Sequence, residues 1–265
     1  VAIVAVSHWF DADQCSCGRF VEDMTWAPKR SGDVIAKFAD RTEAGRLLAH
    51  ELLALKLIDA VVLALPRGGV PVAAEVASAL RAPLDLLLVR KIGAPGQSEL
   101  AVAAVAEGPP PLVVIDDETL GLSGASRAYV DREAGEELRE IARRRTAYLP
   151  DRTPLPVEGK TAVVVDDGIA TGTTVRVALQ ALRRRKPARL VLAIPVAPPE
   201  VVAALRAEVD DLVCLSQPSY FRAVGVHYAD FHQVSDGEVV RILKEARDRE
   251  VRDRGHPRVE RRTAT

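Results

Sequence analysis

The sequence predicts an α/β protein built on a parallel β-sheet with helices wound on both sides. Three observations carry this expectation. Thr161-Ala162-Val163-Val164-Val165 is a continuous run rich in β-branched residues, the form taken by a strand covered on both faces. Runs of this kind alternate with stretches of helical period from Arg41 onward, and strands separated by helices make parallel sheets with right-handed crossovers. Loops rich in glycine follow the runs that end at Leu65 and Val165, and in such sheets ligands bind beyond the carboxyl ends of the strands.

Taken in order, Arg41 to Lys56 carries apolar residues at Leu47, Leu48, Leu52 and Leu55, a helical spacing. Ala60 to Leu65 reads as a strand and Pro66-Arg67-Gly68-Gly69 as a turn. Pro71 opens a helix to about Leu80, proline being tolerated in a first turn. Leu84 to Val89 is a second strand, and Leu100 to Ala106 and Leu112 to Ile115 are shorter ones. Ser126 to Tyr148 is a long charged helix. After Thr161 to Val165 comes the helical pattern Val175 to Leu182, then a strand at Arg189 to Val196, a helix at Pro199 to Glu208 and a strand at Leu212 to Leu215.

At 265 residues the chain can bury one substantial core with small appendages. Acidic and basic residues almost cancel, to a formal net charge of −1, so global charge argues against nucleic acid or acidic membrane as a partner. No apolar run approaches the ~18 residues that a membrane span requires. Arg183-Arg184-Arg185-Lys186 is the best candidate for a basic contact, but it lies at the end of a helix, where cations complement the dipole. Cys15, Cys17 and Cys214 are too few and too scattered for a disulfide framework, so a reducing cytoplasm is the expected location.

Residues 1–36 hold both tryptophans, two of the three cysteines and Met24, the sole methionine, without sustained periodicity. They are expected to be a loosely docked extension. Val1 fits a valine-encoding start codon, and a start at Met24 is the alternative. Cys15, Cys17 and His8 supply three ligands at poor spacing, where a structural zinc wants four. From about residue 248 the chain is rich in Arg, Asp and Glu and reads as a charged tail.

The candidate site begins where Val163-Val164-Val165 runs into Asp166-Asp167-Gly168-Ile169-Ala170-Thr171-Gly172-Thr173-Thr174. Small residues, free N–H groups and hydroxyls at a helix start suit a phosphate. The two carboxylates would repel a phosphate and suit sugar hydroxyls, a metal, or positive charge that develops in a reaction. An ATPase magnesium strand would need a Gly-x-x-x-x-Gly-Lys-Ser/Thr partner, and a dinucleotide fold a Gly-x-Gly-x-x-Gly; neither occurs in the chain. A purely structural strand-turn-helix is the remaining alternative.

Val163 to Thr174 resembles the phosphoribosyl pyrophosphate (PRPP) signature of type I phosphoribosyltransferases: hydrophobic residues, two acids, a short variable stretch, then Thr-Gly-x-Thr. The resemblance spans roughly residues 37–245 and implies a type I domain over 37–247, with a small hood at about 216–235 and a mobile lid loop. It implies that Asp166 and Asp167 hold the ribose hydroxyls and that Ala170 to Thr174 hold the 5′-phosphate, with Gly168 also in the PRPP-binding set. Arg67, Gly68 and Gly69 match the loop that grips pyrophosphate. The family places a basic residue before its lid; of Arg90 and Lys91, Lys91 is favoured, with Gly93 to Glu99 as the lid. Asp166, Asp167, Lys91 and Arg67 are thereby the expected catalytic set.

Tyr220 to Phe231 resembles the hood of 6-oxopurine enzymes, which implies Phe221, Val224 and Asp230 at the base; a plain aromatic mini-core explains the same residues. His227 and His232 read as surface or core histidines. Enzymes for 6-oxopurines usually carry an acid where this chain has Ala170, and adenine, orotate and uracil enzymes are more similar there. The substrates implied are PRPP and a nucleobase or similar nitrogen nucleophile, with Mg²⁺ as cofactor, held mostly by substrate and water and by Asp167 at most. A homodimer is the expected assembly. The competing expectation is a regulator of the same fold that binds PRPP or a nucleotide without catalysis.

Overall fold

The computed structural model describes residues 37–108, 110–150 and 152–255. The extension expected over residues 1–36, with its cysteines and Met24, lies outside the described residues, as do residues 256–265.

Helix α1 (Arg41–Ala54) starts where the Asp40 carboxylate accepts the Glu43 N–H at 2.8 Å, a cap that satisfies an orphan donor of the first turn. Strand β1 (Ala60–Ala64), helix α2 (Gly69–Leu80) and strand β2 (Leu84–Leu86) follow. Then come β3 (Val89–Ala94), β4 (Gln97–Ala106), β5 (Leu112–Ile115), α3 (Asp117–Ser123) and α4 (Arg127–Tyr148). The second half runs β6 (Thr161–Val165), α5 (Thr173–Arg184), β7 (Arg189–Val196), α6 (Pro199–Arg206), β8 (Asp211–Ser216), a 3₁₀ turn at Val224–His227, and α7 (Asp236–Gly255).

The main sheet has five parallel strands in the order β2-β1-β6-β7-β8. Its residues alternate between two buried layers. Val62, Ala64, Val163, Val165, Val191 and Ala193 pack with α1, α2 and α7 on one face. Val61, Leu63, Ala162, Val164, Leu190 and Leu192 pack with α5 and α6 on the other. Every residue of β6 is buried, as its unbroken apolar run requires.

The sequence expectation needs correction at the middle of the chain. The run from Leu84 to Val89 is not one strand: β2 ends at Leu86, and Val89 opens a second sheet of order β3-β4-β5. Both pairings there are antiparallel. A parallel pair needs a crossover of about a dozen residues, and the turn and short link here cannot supply one. The lid expected as a loop over Gly93 to Glu99 is mostly strand, closed by Pro95 and by Gly96 at φ +73°, the pairing a type II turn favours. One face of this sheet packs Ile92 and Val102 on Leu120, Val130 and Ala134 of α3 and α4. The other packs Ala104, Ala106 and Leu112 on Val177 and Ala181 of α5.

Helix α7 carries the chain past residue 247, where the tail was expected, to Gly255. It starts in a reciprocal cap: the Ser235 hydroxyl accepts the Glu238 N–H at 3.2 Å, and the Glu238 carboxylate accepts the Ser235 N–H at 2.9 Å. Val239 and Leu243 bury it against the core. At the root of the β3–β4 hairpin, Arg145 of α4 forks between two buried acids. It donates to both oxygens of Asp85 at 2.8 and 2.9 Å and to both of Glu107 at 2.9 and 3.1 Å.

Candidate active site

Strands β1 and β6 lie side by side at the centre of the main sheet, and their next strands, β2 and β7, lie on opposite sides. This is a topological switch point, and the loops leaving β1 and β6 open a crevice between them. They touch from the first residue, since the Leu65 N–H donates to the Val165 carbonyl at 2.9 Å.

The β1 loop crosses this junction through a cis Pro66–Arg67 peptide and then two glycines. A Cβ on Gly69 would lie 2.8 Å from the Val165 carbonyl oxygen and 2.9 Å from Asp166 Cα. Only glycine permits the backbones to approach this closely. Arg67 reaches outward, with Nη1 3.4 Å from the Asp236 carboxylate at the start of α7. The Tyr148 hydroxyl donates to that same carboxylate at 2.7 Å, and holds Asp236 below its ordinary range with help from Arg67.

At the end of β6, the Asp166 carboxylate accepts the Asp167 N–H at 2.9 Å. Burial raises the Asp166 pKa well above its ordinary 3.8, and the neighbouring Asp167 charge adds to this. Burial raises Asp167 too, against the pull of Arg41, whose Nε donates to Oδ2 at 2.8 Å. The Asp167 side chain is 13% exposed. Thr171 and Thr173 are exposed, and Gly172, at φ +78°, caps α5. Ala170 to Thr174 therefore present exposed threonines and unpaired first-turn N–H groups at the start of a helix of 12 residues. Among the described residues no group of three or more His, Cys, Asp or Glu could hold a metal ion.

Lys91 and Arg90 part ways on β3. Arg90 forms an ion pair with Glu137 of α4. Lys91 is exposed and pairs in register with Ala104, which packs against α5 together with Val89. Strand alternation thus puts Lys91 on the α5 side of the hairpin.

The hood folds back on the acid pair. Val224 covers Gly168, where an added Cβ would lie 2.6 Å from Val224 Cγ1. The Tyr228 hydroxyl donates to the Asp167 carbonyl at 2.5 Å. Phe221 stacks on His227 at 5.2 Å and 21°. His227 is a core residue, 1% exposed, and neither ring nitrogen has a hydrogen-bond partner among the described residues. Burial lowers its pKa. Asp230 is exposed and caps the His232 N–H at 3.1 Å. The structure thus brings Asp166, Asp167, Gly68, Gly69 and Gly168 to Thr174 to one crevice, with Val224 packed on Gly168, and turns Arg67 toward α7. Arg41, absent from the site expected from the sequence, joins them, as do Tyr228 and Phe231 of the expected hood. No local pattern marks Arg41, which is 126 positions from its acid partner.

Residues 41–230 match the model of the phosphoribosyl transferase domain. The chain is 44% identical over 209 residues to Rv0571c of Mycobacterium tuberculosis H37Rv, a protein provisionally named a phosphoribosyl transferase, and equally to MT0597 of strain CDC 1551. These alignments cover 79% of this chain and 47% of each relative, so the chain spans about half the length of the relatives it matches. Among solved structures, TT1426 from Thermus thermophilus is 44% identical, with 79% of this chain and 98% of that one covered and a TM-score of 0.69.

Proposed function

The chain belongs to the phosphoribosyl transferase family, and from that premise we propose that it transfers phosphoribose from Mg-PRPP to a nitrogen nucleophile and releases pyrophosphate. The observation that carries this reading is the placement of an acid pair and a threonine-lined helix start on one strand end, against the glycine loop of its neighbour.

The 5′-phosphate takes the N–H groups and hydroxyls of Ala170 to Thr174, where the helix dipole favours negative charge. Asp166 and Asp167 accept the ribose hydroxyls. As the bond from C1 to pyrophosphate breaks and the bond from C1 to nitrogen forms, positive charge grows on the ribose, and fixed carboxylates in a half-buried cleft stabilise it more than they stabilise the ground state. The glycine N–H groups of the β1 loop, Arg67 and Lys91 receive the leaving pyrophosphate; Arg67 turns from Asp236 to do so. Two adjacent carboxylates without a third acid fit an ion held mostly by substrate oxygens and water, with Asp167 its one direct protein ligand at most. When bound, Mg²⁺ neutralises charge on the departing pyrophosphate.

The acceptor belongs beneath the hood, with Phe221, Val224 and Asp230 around it. Ala170 supplies no acid for a purine N7, which favours adenine, pyrimidine or amine acceptors over 6-oxopurines. No helix among the described residues is long and apolar enough to cross a membrane. The proposed working unit is a homodimer of the 37–247 domain acting in the cytoplasm.

Pyrophosphate release from Mg-PRPP across a panel of nucleobases and amines tests the proposal. Release with one acceptor class supports it. Silence across the panel with PRPP still bound replaces catalysis with a regulatory binding role.

A further inference from the structure

Arg41 stands in an unfavourable place for a cation. It is the first residue of α1, where the helix dipole is positive, and its side chain is only 8% exposed. A charge buried there requires strong partners. It has three, from two other parts of the chain. Nε donates to Asp167 Oδ2 at 2.8 Å, Nη1 donates to the His232 carbonyl at 2.9 Å, and Cζ lies 3.9 Å from the centroid of the Phe231 ring. Phe231 in turn packs on Tyr228, whose hydroxyl donates to the Asp167 carbonyl.

Resting on the phosphoribosyltransferase reading, we infer that Arg41 is the positioning residue of the sugar site: its guanidinium fixes the Asp167 carboxylate for a ribose hydroxyl and locks the hood to that carboxylate. A planar fork with one edge on Asp167, another on the hood carbonyl and its face on Phe231 cannot turn without breaking a contact. The carboxylate it holds is therefore set in one orientation before the sugar arrives.

The test is calorimetric binding of Mg-PRPP and, separately, of inorganic phosphate to the full chain at neutral pH, for the unaltered protein, Arg41→Gln and Arg41→Lys. Arg41→Gln is expected to weaken Mg-PRPP binding roughly ten- to hundredfold, the loss of a charge-assisted hydrogen bond, while inorganic phosphate, which takes the threonine loop, binds as before. Arg41→Lys keeps the charge but cannot span both acceptors, so it is expected to recover part of the Mg-PRPP affinity and not all of it, again with phosphate binding unmoved. If the Gln variant does not fold, the Lys variant carries the test through that split between sugar and phosphate affinity. A purely structural arginine would lower both affinities together. Unchanged Mg-PRPP affinity, or an equal loss for both ligands, overturns the inference while the family reading stands. Failure of the unaltered chain to bind Mg-PRPP overturns the family reading of the crevice and the inference with it.

Discussion

A Cβ added to Gly68 would lie 2.0 Å from Oδ2 of Asp167, the same oxygen that accepts from Arg41. The glycine loop of β1 and the acid pair of β6 are thus one constellation. The neighbouring glycine meets something less yielding, because a Cβ on Gly69 would strike the backbone of Val165 and Asp166. Gly68→Ala should therefore swing the Asp167 carboxylate off Arg41 and weaken Mg-PRPP binding while the fold persists. Gly69→Ala should cost about 1–3 kcal/mol of stability through forced backbone shifts. Thermal unfolding and calorimetric binding on both variants separate the two effects.

On the proposed reading, Asp167→Asn removes a charge from beside the reacting ribose. Turnover should fall roughly a hundredfold, the scale of one preorganised electrostatic group. Binding of inorganic phosphate to the threonine loop should change little. Unchanged turnover would remove Asp167 from the chemistry.

Burial raises the pKa of Asp166 well above 3.8. A carboxyl raised on folding favours the native state fully below its unfolded pKa, and that contribution is lost as pH rises through the folded value. Asp166→Asn keeps an oxygen for the Asp167 N–H and sheds the buried charge. It should raise the unfolding temperature at neutral and alkaline pH, with the gain vanishing below about the ordinary carboxyl pKa. Unfolding scans across pH on the two proteins check the sign.

Lys91 is exposed on the α5 side of the hairpin, whereas Arg90 is paired with Glu137. Lys91→Ala should leave stability within about 0.5 kcal/mol and weaken pyrophosphate competition against Mg-PRPP. Arg90→Ala should show the opposite pattern, with the hairpin loosened and pyrophosphate affinity kept.

Arg145 neutralises Asp85 and Glu107 in the interior, and burial holds the Glu107 pKa high even with Arg145 beside it. Arg145→Leu strands two acids and should cost about 3–5 kcal/mol. Replacing all three with apolar residues of similar volume should recover most of that loss. Denaturant unfolding of the single and triple variants distinguishes a lost partner from lost packing.

The parallel core is legible because strands covered on both faces must be continuously apolar, as Val61 to Leu65 and Ala162 to Val165 are. The acid pair and threonine loop are legible because Val163 to Thr174 resembles the PRPP signature of type I phosphoribosyltransferases. The second sheet departs from the expected parallel order, and the Pro95-Gly96 turn and the short link before Leu112 both forbid a parallel crossover. Helix α7 hides behind its charge, yet Ser235-Asp236-Gly237-Glu238 is a capping pattern. Arg41 has no such signal: its partners Asp167, Phe231 and His232 come together only through the tertiary fold.

The central claim is that the acid pair and the threonine turn embrace a phosphorylated pentose, and a crystal of the chain grown with ribose 5-phosphate tests it most directly. The account expects the phosphate over Ala170 to Thr174 and the 2′- and 3′-hydroxyls within hydrogen-bond reach of Asp166 and Asp167. A sugar bound elsewhere, or a crevice from which side chains exclude it, would contradict the account.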